Sequence, residues 1–140
     1  MPHVALLPDL DILRRAFDRR DPDPLVVHQV VQAVDQRRLF VVGWVRQSLI
    51  SRAAEVSQAE RLARALAAFP DLPISSADHV AAAFLSQRLR RRSVLVQPAQ
   101  ALFWVMAERI QACIWSQDQR WHALHAQGCP VVSSPQWRES

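Results

Sequence analysis

The sequence predicts an α/β domain of three layers, with a short central parallel sheet of four to five strands flanked by helices. Three observations predict it. Short apolar runs at residues 4–7, 39–43, 113–115 and 130–132 lack the polar alternation of an antiparallel sheet with one wet face. Stretches of helical periodicity separate these runs. At 140 residues the chain is one domain's worth, with room for a proper core.

Residues 4–7 are too few for a buried helix and stop at Pro8, so they read as a strand buried on both faces. Asp9 and Asp11 follow, where the strand yields to an Arg-bearing helix over 11–20. An open α/β sheet binds its ligands at such strand ends, but Asp is equally a helix cap whose oxygen accepts a first-turn N–H. The segment DPDP breaks the chain, and Pro24 opens a helix to about residue 38 with Val26, Val27, Val30, Val31 and Val34 as its apolar stripe. After the strand at 39–43 comes a helix over 44–56, with Val45, Leu49 and Ile50 inward and Gln47 near its amino end. Ser57 and Glu60 form a capping box for the next helix, whose apolar positions are Leu62, Ala65, Leu66 and Phe69, before Pro70 and Pro73 stop it. Ser76 starts a helix with Val80, Ala83, Phe84 and Leu89 inward, closing on an Arg cluster. Pro98 lies in the first turn of a helix over 99–112, apolar nearly all round and so buried on several sides. A strand at 113–115, a helix over 117–127 with Gly128 as its C-cap and a strand at 130–132 complete a single domain over 1–133, leaving 134–140 as a mobile tail.

No apolar run approaches the roughly 20 residues of a bilayer span, and the opening MPHVALLPDL has no cationic start and meets acid too soon for a secretory signal. Cys113 and Cys129 form neither a CxxC pair nor a disulfide framework. The expectation is a cytoplasmic protein with free thiols. Seventeen basic residues, all Arg, stand against thirteen acidic ones for a net charge of +4. Because the chain also lacks Asn, Thr and Tyr, a skew that coding bias produces, the Arg clusters count for more than the choice of Arg. Arg14, Arg15, Arg19 and Arg20 form one cluster, and Arg88, Arg90, Arg91 and Arg92 another, each read either as a solvated helix end or as an RNA-facing patch. With only two glycines there is no Gly-rich nucleotide loop and no nucleophile elbow. His122, His125 and Cys129 offer zinc donors but no fourth ligand, and Trp44, Trp104, Trp115 and Trp121 read as core packing in preference to base stacking.

Metal-assisted phosphodiester cleavage needs carboxylates from several elements, because Mg²⁺ takes hard oxygen ligands and keeps water for the nucleophile. The pattern to seek is strand, acid and helix, and four stretches carry a family resemblance: Asp9-Leu10-Asp11-Ile12-Leu13; Phe40-Val41-Val42 with Trp44 to Leu49; Gln97-Pro98-Ala99-Gln100-Ala101-Leu102; and Trp115-Ser116-Gln117-Asp118 with Trp121. In this order, over most of the chain, the sequence resembles the PIN-domain family, compact metal-dependent nucleases that include the toxin subunits of bacterial toxin–antitoxin pairs. The resemblance implies that Asp9 and Asp118 are ligands for Mg²⁺ or Mn²⁺, assisted by Asp11 and Ser116. They are expected to approach each other at the carboxyl ends of the strands. Gln47 and Gln100 would stand where the family carries acids, and Phe103 and Trp104 where it carries small residues. Losing two carboxylates removes two negative charges, so the site is degenerate and its metal weakly bound or absent. Two functions follow. One is a Mg- or Mn-dependent endoribonuclease of a toxin–antitoxin pair, its RNA held by Arg14, Arg15, Arg90 and Arg91; the other is an inactive PIN scaffold that binds RNA or a protein. An antitoxin-like partner and a homodimer are further implications of the resemblance.

Overall fold

The computed structural model describes residues 4–135, so most of the tail expected over 134–140 lies outside the described residues. Three parallel strands, β1 (Ala5–Pro8), β2 (Ala112–Trp115) and β3 (Val131–Val132), form a sheet in the order β1-β2-β3. The register sets Ala5 opposite Ala112 and Pro8 opposite Trp115, while Ile114 pairs with Val131. Because side chains alternate along a strand, the sheet divides the core in two. Leu6 and Trp115 pack with Ile12, Val26, Val30 and Ala33, whereas Leu7 and Ile114 pack with Val45, Leu66, Phe103 and Met106.

Around the sheet lie α1 (Leu10–Ala16), α2 (Pro24–Asp35), α3 (Gly43–Ser51), α4 (Val56–Leu66), α5 (Ser76–Arg91), α6 (Pro98–Arg109) and α7 (Gln119–His122). Helix α2 covers one face and α3 to α7 cover the other, while α1 serves both, with Ile12 in the first cluster and Leu13 in the second. Among the described residues no helix is long and apolar enough to cross a membrane.

Among the described residues the sheet has three strands where four to five were expected. Residues 39–43 make only isolated parallel bridges, Leu39 with Leu6 and Val41 with Asp71. The segment changes neighbour after two residues and enters α3 at Gly43, so no ladder grows. Its backbone is still committed: Phe40 N–H donates to the Leu6 carbonyl at 3.1 Å and Val41 N–H to that of Pro70 at 3.0 Å. β1 thus lies between β2 and Leu39, although β2 is the middle one of the three strands.

Other boundaries differ for local reasons. Helix α1 stops at Ala16, not near Arg20, because the Asp18 carboxylate accepts the N–H groups of Arg20 and Asp21, both at 2.9 Å, and holds a turn there. Helix α4 starts one residue before Ser57 with Glu55 at its N-cap, so the expected Ser57–Glu60 box does not form. A capping box does open α5, where Ser75 N–H donates to Asp78 Oδ2 at 2.9 Å and Asp78 N–H to Ser75 Oγ at 3.4 Å. Asp78 also pairs with Arg109 at 2.9 Å, joining α5 to the end of α6. That pairing fixes which face of α5 meets α6: Ala82, Leu85 and Leu89 are buried, while Val80, Ala83 and Phe84, expected inward, are exposed. Likewise Val31 and Val34 of α2 face outward. The helix expected over 117–127 is split into α7 and a 3-10 turn at His125–Gln127, and Gly128 ends it at φ 97° as anticipated.

Candidate acidic cleft

The parallel pairing of β1 and β2 delivers two polar segments to the same edge of the sheet. Past the last register pair, Asp9 N–H donates to the Trp115 carbonyl at 2.9 Å, so Asp9 and Ser116 start from adjacent backbone. Ser116 is fully buried, and its hydroxyl joins the two segments. It donates to Asp11 Oδ1 at 3.0 Å and accepts Asp118 N–H at 3.0 Å, while Gln117 N–H donates to Asp11 Oδ2 at 2.8 Å. Asp11 and Ser116 therefore act as a clamp, their polar atoms spent on holding Asp118 beside the end of β1.

Asp9, Gln100, Asp118, Arg120 and Trp121 line one cleft of about 580 Å³. Trp44 and Phe103 supply its aromatic wall, with ring centroids 5.3 Å apart, and Phe103 meets Trp121 at 5.5 Å. Asp9 occupies the N-cap position of α1 without making a side-chain cap bond; its Oδ2 instead accepts the Trp121 indole N–H at 2.7 Å. Burial pushes the Asp9 carboxyl above its ordinary 3.8, against the lowering by Trp121, and the charges of Asp11 and Asp118 add to the rise. Asp118 does cap its helix, accepting Arg120 N–H at 2.9 Å. Hydrogen bonds from the Arg120 guanidinium, the nearer at 2.7 Å, hold its carboxyl below 3.8.

The residues present do not fit a divalent ion. Such an ion needs several free, charged oxygens at short range. Here Asp11 is committed to the clamp, Asp9 to an indole, and Asp118 to a guanidinium. The Gln100 side-chain oxygen accepts Gln97 N–H at 3.1 Å to cap α6. Among the described residues no group of three His, Cys, Asp or Glu is placed to hold a metal ion.

Of the residues read from the sequence, Asp9, Asp118 and Gln100 meet in the cleft, with Asp11 and Ser116 directly behind. Gln47 does not join them: it is exposed on α3, and Trp44 is the residue of that helix on the cleft wall. Arg14 and Arg15 line a broader neighbouring cleft of about 960 Å³ together with Asp11, and Arg15 donates to the Gln117 side chain. Arg90 borders a groove between α5 and α6, and Arg91 is exposed beside it. The histidines are engaged locally, His122 Nε2 with the Ser116 carbonyl at 2.8 Å and His125 Nδ1 with the Cys129 carbonyl at 3.4 Å. The Cys129 thiol is buried and pushed up to about 12, chiefly by burial, so it stands as a neutral core thiol. Trp104, Trp115 and Trp121 are buried, in line with core packing. Sequence reasoning missed Arg120; the spacing Asp118-x-Arg120, which lets a capping acid meet a cation on its own first turn, was the available signal.

No protein-family profile matches the sequence, and no curated protein does. Solved structures do match the fold. FitAB bound to a DNA fragment superposes with a TM-score of 0.74 at 12% identity, over 96% of this chain and 98% of that one. VapBC2 from Rickettsia felis, bound to a DNA fragment from its promoter, gives 0.74 at 9% identity, over 92% and 98%. A toxin–antitoxin complex from Klebsiella pneumoniae gives 0.68 at 18% identity, over 96% and 100%. The architecture is a PIN-like fold shared with these solved structures, and at such identities the likeness concerns fold alone.

Proposed function

We propose that this chain is a PIN-fold subunit that binds a partner protein in a two-protein assembly and does not cut RNA through a divalent ion. The observation that supports this most is the donor set of the acidic cleft. Two acids remain there, each held by the chain's own N–H donors, beside a Gln whose oxygen caps a helix. A dication entering would give up water and find little free negative charge in return. Support for a protein partner comes from the fold neighbours, which are toxin–antitoxin complexes, so an antitoxin-like chain is the partner we favour. An apolar groove of about 280 Å³ between α1 and α2, walled by Phe17, Val27, Val31, Val34 and Phe69, supports it too, since it offers a place for a partner's apolar side chains.

Two measurements test the proposal. Calorimetric titration of Mn²⁺ into the wild-type chain, with RNA cleavage assayed alongside, should give binding no tighter than the millimolar range and no cleavage above background. Tight binding with cleavage would restore the endoribonuclease reading. Purification from the native source under mild conditions should recover the chain with a second, different polypeptide. A strict monomer at high concentration, with nothing co-purifying, removes the partner half.

A further inference from the structure

We infer that Arg120 and Trp121 take the place of a divalent cation in the acidic cleft, so that the chain supplies its own counter-charge there. The inference rests on the metal-poor reading above and names its cause. One short segment does the work. Asp118 caps α7 by accepting Arg120 N–H, and the Arg120 side chain then returns to the same carboxylate, Nη2 to Oδ2 at 2.7 Å and Nε to Oδ2 and Oδ1 at 3.1 and 3.2 Å. The next residue, Trp121, donates its indole N–H to Asp9 Oδ2 at 2.7 Å. Both acids that the family resemblance makes metal ligands are thereby engaged from positions 120 and 121 of one turn.

An exposed Arg–Asp pair is usually weak, and the Arg120 side chain is 83% exposed. Its neighbour distinguishes this one. Trp121 is only 4% exposed and packs against Phe103, so the turn that carries Arg120 is fixed by a buried aromatic ring. The guanidinium is charged at every working pH and spans two carboxylate oxygens, as a bound ion would. Unlike an ion it cannot diffuse away. A divalent cation would have to turn Arg120 out, compete with the Trp121 N–H for the Asp9 carboxylate, and then share the cleft with a tethered positive charge.

The test is Mn²⁺ binding by the full-length chain, read by calorimetry and by the electron paramagnetic resonance of free Mn²⁺, with circular dichroism confirming that each variant is folded. Arg120→Gln keeps the length and removes the charge, Arg120→Lys keeps the charge, and Trp121→Phe keeps the ring and removes the donor. Arg120→Gln should bind Mn²⁺ about tenfold or more tightly than wild type, since a unit charge at contact distance from a dication is lost. Adding Trp121→Phe should tighten it further, Arg120→Lys should stay near wild type, and Arg120→Gln combined with Asp118→Asn should lose the gain. If Arg120→Gln binds no tighter than wild type, the inference is overturned, whereas the metal-poor reading falls only if the wild-type chain itself binds Mn²⁺ tightly and cleaves RNA.

Discussion

Asp9 shows how one side chain can be costly to the fold and kept at the site. Its carboxyl is raised above 3.8, first by burial, so the folded chain holds that proton more firmly than the unfolded chain. The contribution to stability is therefore greatest at low pH and declines as pH rises from 3.8 through the raised value. Asp118 has the opposite sign, because Arg120 holds it low, and its contribution is lost as pH falls below 3.8. Asp9→Asn removes the ill-solvated charge and keeps an oxygen for Trp121. It is expected to stabilise the fold at pH 7 by about 1 kcal/mol, with a smaller difference near pH 3. Thermal unfolding at the two pH values checks this, and a lower midpoint for Asp9→Asn at neutral pH would refute it. The acids themselves were legible, since strand followed by acid and helix is a pattern of residue types. Their partners were not, because the Arg120 and Trp121 contacts depend on side-chain directions set by a four-residue helix.

At the scale of elements, three of the described helices are followed by a left-handed residue that is not glycine. Arg37, Ser93 and Gln111 follow α2, α5 and α6 with φ of 55°, 61° and 55°, in the left-handed region where a Cβ is strained. The chain has only two glycines, and Gly128 alone fills such a position. Ser93→Gly and Gln111→Gly should each stabilise by about 0.5 kcal/mol, the relief of strain being partly offset by a looser unfolded chain. The double variant should approach the sum. Urea denaturation gives the test; a fall in midpoint at either position would mean its side chain contributes more than its strain costs. These endings also explain which boundaries could be read. The stop at Gly128 was visible, whereas α4 ends at Leu66, four residues before the Pro70 that was expected to stop it. A polar residue that leaves the helical region carries no such mark, and the turn held by Asp18 within an Arg-rich stretch looked like more helix. Burial of α5 was misread for a tertiary reason: Asp78 sits among its buried residues, so periodicity in hydrophobic letters pointed to Val80 and Phe84.

Over the whole molecule, the parallel order of strands followed from the short apolar runs, while their number did not, because a bridge and a strand look alike in sequence. The arginines divide between two places. Arg14 and Arg15 share a cleft with Asp11, whereas Arg90 borders a groove that meets the acidic cleft only through Val96 and Ala99. If RNA is a ligand, Arg14→Glu with Arg15→Glu should weaken its binding more than Arg90→Glu with Arg91→Glu, and should flatten the salt dependence by roughly one ion per lost phosphate contact. Filter binding at several salt concentrations would show it; equal losses from the two pairs would mean that neither surface is preferred. The pairing of β1 with β2 has a consequence in time. Ala5 meets Ala112, so the ladder that brings Asp9 beside Ser116 closes a loop of most of the chain, a slow kind of contact to form. During synthesis the acidic cleft cannot exist until residues 112–124 have left the ribosome. Until then Asp9 is a solvated carboxylate at the end of a strand that lacks its β2 neighbour, and a product truncated before β2 carries no such cleft.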